Sequence, residues 1–74
     1  MKGQQAVILV YSTSHAIRIE KLLYEFDVSC KLIPVPRYLS SDCGVSVRFF
    51  REDLNQVISV ISEAGIEIEG IFEI

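Results

Sequence analysis

The run Ala6, Val7, Ile8, Leu9, Val10, Tyr11 is apolar at every position and rich in β-branched residues. It predicts a central strand covered at least partly on both faces. The period then changes. Ser12, Thr13 and Ser14 offer hydroxyls suited to a helix N-cap. Behind them Ala16, Ile19, Leu22, Leu23 and Phe26 recur at helical spacing, with Arg18, Glu20, Lys21 and Glu25 turned outward. This is the first helix.

Residues 28–36 read as a second strand, and Pro34 and Pro36, which lack a backbone N–H, place it at a sheet edge. Residues 37–44 are polar and without periodicity, which predicts a loop. Val45, Val47 and Phe49 then alternate with Ser46, Arg48 and Phe50, giving a third strand. Glu52 and Asp53 stand where a helix N-terminus favours negative charge. Leu54, Val57, Ile58, Ile61 and Ala64 predict the buried stripe of a second helix, and Gly65 is suited to end it. A last strand alternates Ile66, Ile68, Phe72 and Ile74 against Glu67, Glu69 and Glu73.

This order predicts an α+β fold: a ferredoxin-like βαββαβ two-layer sandwich, with a four-stranded antiparallel sheet and two helices on one face. Residues 1–74 suffice for one such domain and not for two. The topology brings the start of the first helix and the loop 37–44 to the same end of the sheet. Cys43 is therefore expected to meet the helix N-terminus.

The second face of the sheet is left without helices. Ser46, Arg48, Phe50, Ile33, Val35 and Ile71 are expected on it, together with one parity of the first strand, either Val7, Leu9 and Tyr11 or Ala6, Ile8 and Val10. So large an apolar patch predicts a two-fold homodimer through the open sheet face, unless the stems of Lys31 and Arg48 cover it.

Composition narrows the function classes. Half the residues are hydrophobic, which a chain this short needs, since it buries only about 60% of its unfolded surface. A net charge of -3 gives no general attraction to nucleic acid or anionic lipid. The apolar run at residues 6–11 is too short for a secretory signal, and no run approaches the ~18 residues that a membrane span requires. Two cysteines without such a signal suggest a reducing compartment, so a cytoplasmic protein with no membrane partner is expected. The same βαββαβ plan serves RNA recognition. Here, however, the third strand lacks the Lys/Arg-Gly-aromatic pattern and the last strand carries three glutamates, which argues against a nucleic-acid partner.

Cys43 is the main candidate for chemistry. It lies on the polar loop between Asp42 and Gly44, and the positive end of a helix favours a thiolate. Arg37, and His15 in the first helical turn, are placed to strengthen that effect. Thr13, Ser40 and Ser41 supply nearby hydroxyls, with Ser40 and Ser41 reading first as turn formers. Gly44 would permit an unusual turn and leave room for a second molecule. The alternative is an inert cysteine tucked beneath Tyr38 or Leu39. Cys30, on the strand face shared with Val28 and Leu32, reads as a core residue. A Cys30–Cys43 disulfide is not expected, because the two lie near opposite ends of a hairpin. One histidine and two separated cysteines do not make a structural zinc set, so no metal is expected, and nothing points to a cofactor.

Around Cys43 the sequence resembles a bacterial family of small selenium/sulfur carrier-like proteins. The resemblance rests on Ile33-Pro34-Val35-Pro36-Arg37, on Leu39-Ser40-Ser41-Asp42-Cys43-Gly44, and on Arg48-Phe49. It extends to Ser12-Thr13, Glu52-Asp53-Leu54 and Gly65-Ile66, and so spans nearly the whole chain. Tyr11 and Phe50-Arg51 depart from the pattern, outside the cysteine loop. The resemblance implies a carrier rather than a stand-alone enzyme, with sulfur or selenium held on Cys43 as a persulfide or perselenide and passed from a donor to an acceptor enzyme. A lone cysteine suits that role, because a nearby second thiol would discharge the persulfide as a disulfide. Two other readings remain open: a ligand-sensing or oligomerising module, and a thiol redox sensor in which Cys43 oxidises.

Overall fold

A computed structural model describes residues 3–41 and 43–74. The six elements form in the expected order: β1 (Gln5–Leu9), α1 (Thr13–Glu25), β2 (Cys30–Pro34), β3 (Val45–Phe50), α2 (Leu54–Ala64) and β4 (Gly70–Glu73). A 3-10 turn, Arg51–Asp53, leads into α2. The sheet order is β2-β3-β1-β4 and every neighbouring pair is antiparallel. This is the ferredoxin-like arrangement, with β1 and β3 central and the proline-bearing β2 at an edge.

One face of the sheet holds the core. Ala6, Ile8 and Val10 from the β1 segment, Val47 and Phe49 from β3, and Cys30 from β2 pack with Ala16, Ile19 and Leu23 of α1 and Val57, Val60 and Ile61 of α2. Fully burying one such Ile or Leu is worth about 1.5–3 kcal/mol, which outweighs the weak helix propensity of the β-branched residues in α2.

The helix stripes are narrower than the sequence predicts. Phe26, Leu54 and Ile58, expected inside, are exposed, and Val60, not expected, is buried. The reason at Phe26 is a helix stop. α1 ends at Glu25, and Asp27 takes a left-handed φ of 60°. The Val28 N–H then bonds the Leu23 carbonyl at 2.9 Å and the Asp27 N–H bonds that of Tyr24 at 3.1 Å. That Schellman pairing brings Val28, rather than Phe26, back onto the core. α2 stops in the same way at Gly65, with φ 68°, and there Ile66 is the residue returned to the core. In α2 the inward stripe is Val57, Val60 and Ile61, which turns Ile58 to solvent.

Corrections are also needed at the sheet. β1 ends at Leu9, so Tyr11 lies beyond it and is exposed. The last strand is shorter than its alternation implies, because the chain bends at Glu69 and β4 starts at Gly70. That bend changes the phase. Ile66 and Ile68 face the core, and so does Ile71, paired with Ile8; Phe72, paired with Val7, is on the open face. The open face is thus built in cross-strand rows. One runs Lys31, Arg48, Val7, Phe72, and the next runs Ile33, Ser46, Leu9, Gly70. Val7, Leu9 and Ser46 are buried there within the monomer, so the free apolar patch is smaller than expected.

Candidate functional site

Three chain segments converge at the end of the sheet where β1 leaves and β3 enters. The first is the start of α1. Ser12 caps it from an extended conformation, and its hydroxyl accepts the His15 N–H at 3.4 Å. The second is the connection from β2 to β3. The Val35 N–H bonds the Gly44 carbonyl at 3.2 Å, and a turn closes inside it, from the Leu39 N–H to the Pro36 carbonyl at 3.0 Å. The third is the segment that enters β4, where the Glu69 N–H bonds the Leu9 carbonyl at 2.7 Å.

Cys43 sits where they meet. Its sulfur lies 3.7 Å from the Thr13 hydroxyl, in the first turn of α1. The meeting of Cys43 with the helix N-terminus, expected from topology alone, is present. Its openness is not. Cys43 is 6% exposed and belongs to the core cluster. Sequence reasoning places it on an accessible loop because the neighbours Ser40, Ser41 and Gly44 are polar or small. The tertiary structure instead bends the chain so that the thiol turns inward under α1. Tyr38, at 69% exposed, stands in solvent.

Ser41 holds this bend. Its hydroxyl accepts the Cys43 N–H at 3.2 Å and lies within donating reach of the Val10 carbonyl, at 3.2 Å, and of the Glu69 carboxylate. Glu69 is a neighbour of the cysteine bend that the sequence reading misses. Its alternation marks only an outward-facing glutamate. The signal available was topological, since α2 returns the chain to the end of the sheet where Cys43 lies.

The other candidates are placed differently. His15 is engaged locally, its Nδ1 lying 3.0 Å from the Ser12 hydroxyl, and among the described residues no hydrogen bond joins it to Cys43. Arg37 and Ser40 are exposed on the loop, and neither is brought onto the sulfur by a hydrogen bond or ion pair among the described residues. Gly44 is exposed, its φ lies outside the left-handed region, and a Cβ there would meet nothing within 4 Å among the described residues. The fold therefore does not require glycine at this position. Asp42, which precedes Cys43 in the chain, lies outside the described residues.

Cys30 behaves as the sequence predicts. It is buried in β2, its Sγ 3.8 Å from the Glu20 carbonyl, and burial, with the Glu20 carboxylate adding to it, pushes the thiol up to about 11. Both cysteines are free. A shallow hollow lined by Tyr24, Asp27, Val28 and Ser29 lies at the other end of α1, away from Cys43. No helix among the described residues is long and apolar enough to cross a membrane.

Comparison with known proteins adds one finding. No curated protein and no solved structure matches the chain. A family model described as "Putative Se/S carrier protein-like" matches residues 5–73, which takes in β1, both helices, the cysteine loop and β4. On that match the chain belongs to the Se/S carrier protein-like family.

Proposed function

We propose that this protein carries sulfur or selenium on Cys43 and delivers it to an acceptor enzyme. The observation that carries the reading is the position of the Cys43 sulfur at the N-terminus of α1, 3.7 Å from Thr13, within the segment that the carrier family covers. A sulfur there lies against the first turn of α1, at the positive end of the helix dipole. The second thiol is held in the core of β2, so it does not compete for the cargo.

The transfer balances without an external oxidant. The Cys43 thiolate attacks the outer sulfur of a donor persulfide, the donor's S–S bond breaks, and the donor thiolate leaves. Cys43 then holds a persulfide. An acceptor nucleophile takes the outer sulfur in turn and releases the Cys43 thiolate. Selenium follows the same steps as a perselenide. Because the thiol is covered, both steps require the segment around Ser41 to move aside. Exposed Arg37, and the unfilled space beside Gly44, supply a surface on which donor and acceptor can dock. Free thiols doing this work suit a reducing cytoplasm.

Incubation with a cysteine desulfurase and cysteine, followed by intact mass spectrometry, tests the proposal. Cys43 is expected to gain one sulfur atom, lost again on reduction, and Cys43→Ser is expected to gain none. A protein that stays unmodified, or that acquires sulfur equally with Cys43 replaced, defeats the carrier reading. Oxygen addition by peroxide in the absence of sulfur loading would favour the redox sensor instead.

A further inference from the structure

We propose that Glu69, acting through Ser41, controls access to Cys43. The carboxylate fastens the cysteine loop to the body of the sheet and keeps the thiol covered until the fastening opens. The inference rests on Cys43 being the carrying thiol, and adds to it a residue that governs when that thiol can react.

The argument starts from the donors and acceptors of one hydroxyl. A serine hydroxyl has a single proton to give and lone pairs to accept. Ser41 accepts the Cys43 N–H, and its proton serves either the Val10 carbonyl or the Glu69 carboxylate. The bond to the carboxylate is charge-assisted and the stronger of the two. Glu69 is itself a fixed post, because its own N–H is tied to Leu9 at the end of β1. Ser41 is the movable catch.

Among the described residues, the remaining bonds of the loop do not replace this one. Val35 to Gly44 and Leu39 to Pro36 are internal to the β2–β3 connection; they preserve its shape without attaching it to β1 or β4. The Thr13–Cys43 contact is a weak one to sulfur. Arg37, Tyr38 and Ser40 are exposed and Leu39 is half-buried, so the buried surface that opening uncovers lies mainly at Cys43 itself. Segments of that kind open locally at low free energy, well below global unfolding.

The two cysteines allow a test within one molecule. Cys43 reports opening of the loop, and Cys30, in the core of β2, reports wider unfolding. Iodoacetamide labelling of both, followed site by site by peptide mass spectrometry, is compared in the natural protein, Glu69→Ala, Glu69→Gln, Ser41→Ala and the control Glu67→Ala. Losing a hydrogen bond to a charged group is expected to raise the Cys43 rate about tenfold or more in Glu69→Ala and Ser41→Ala, with Cys30 unchanged. Glu69→Gln, which keeps an acceptor without the charge, should fall between, and Glu67→Ala should match the natural protein. An unchanged Cys43 rate overturns the proposal, as does a rise shared equally by Cys30. Should Glu69→Ala fail to fold, Ser41→Ala and Glu69→Gln decide. The labelling uses no sulfur donor. Failure of sulfur loading with this pattern intact would sink the carrier reading and leave the fastening, and the reverse pattern would do the opposite.

Discussion

The Cys43 sulfur lies 3.7 Å from the Thr13 hydroxyl although thirty positions separate the two in the chain. Reactivity should follow from that relationship. Under native conditions at neutral pH, alkylation is expected at Cys43 before Cys30, because a loop bend held through the Ser41 hydroxyl opens more readily than a packed strand. Peptide mass spectrometry after a short pulse measures the order. Labelling of Cys30 first would remove Cys43 as the reactive thiol. Thr13→Val keeps the shape of the contact without its hydroxyl, and should change stability by no more than about 1 kcal/mol.

Arg37 is exposed and makes no hydrogen bond or ion pair among the described residues, so its effect should fall on partners rather than on the sulfur. Arg37→Ala is expected to leave the alkylation rate of Cys43 by a small neutral reagent unchanged. Sulfur transfer from donor or to acceptor should slow. An equal slowing of alkylation would show that Arg37 acts directly on the thiolate.

The raised Cys30 thiol predicts a pH dependence of stability. The folded state holds this proton more tightly than the unfolded chain does. The corresponding stabilisation is complete below the ordinary thiol value of 9.0 and is lost as pH rises through about 11. Urea denaturation of the natural protein and Cys30→Ala should therefore show a stability difference that narrows across this window. A constant difference between neutral pH and pH 11 would contradict the shift.

Two helix stops use a left-handed residue, but only one of them is glycine. Asp27 holds φ 60° with a side chain, whereas Gly65 holds φ 68° without one. Asp27→Gly is expected to raise stability by about 0.5–1 kcal/mol, and Gly65→Ala to lower it by about 1–2 kcal/mol. Thermal or urea denaturation checks both. A loss of stability in Asp27→Gly would mean that the aspartate side chain contributes more than the strained backbone costs.

The open face of the sheet bears on self-association. Lys31 and Arg48 are directly paired there, and the Arg48 Nε is buried with no acceptor among the described residues. Neither cation has a carboxylate beside it in its cross-strand row, and the Glu73 carboxylate bonds Arg51 instead. Stacking this face on its own copy would oppose like charges. Sedimentation equilibrium at micromolar concentration is thus expected to show a monomer at low ionic strength and a dimer only where salt screens the pair, abolished by Ile33→Glu. A dimer already stable at low ionic strength would require an offset packing that separates the cations.

The β1 run, the helical spacing from Ala16 to Leu23 and the Gly65 stop were legible because each is a local pattern with one physical meaning. The exposure of Phe26, Leu54 and Ile58 is not legible because a stripe read from sequence says which residues are apolar, not how far the helix rolls on the sheet. The phase of β4 is not legible because alternation assumes an unbroken strand, and the bend at Glu69 breaks it.

At the site, the sequence by itself determined the element order, and through the handedness of βαβ crossovers it brought Cys43 to the start of α1. It also separated Cys43 from Cys30, one in a polar loop and the other on an apolar strand face. Only the tertiary structure decided that the Cys43 thiol turns inward and that Glu69 fastens the loop through Ser41. Burial and long-range hydrogen bonds are set by which surfaces meet across the sheet. A polar loop looks the same in sequence whether its side chains end in water or on another strand.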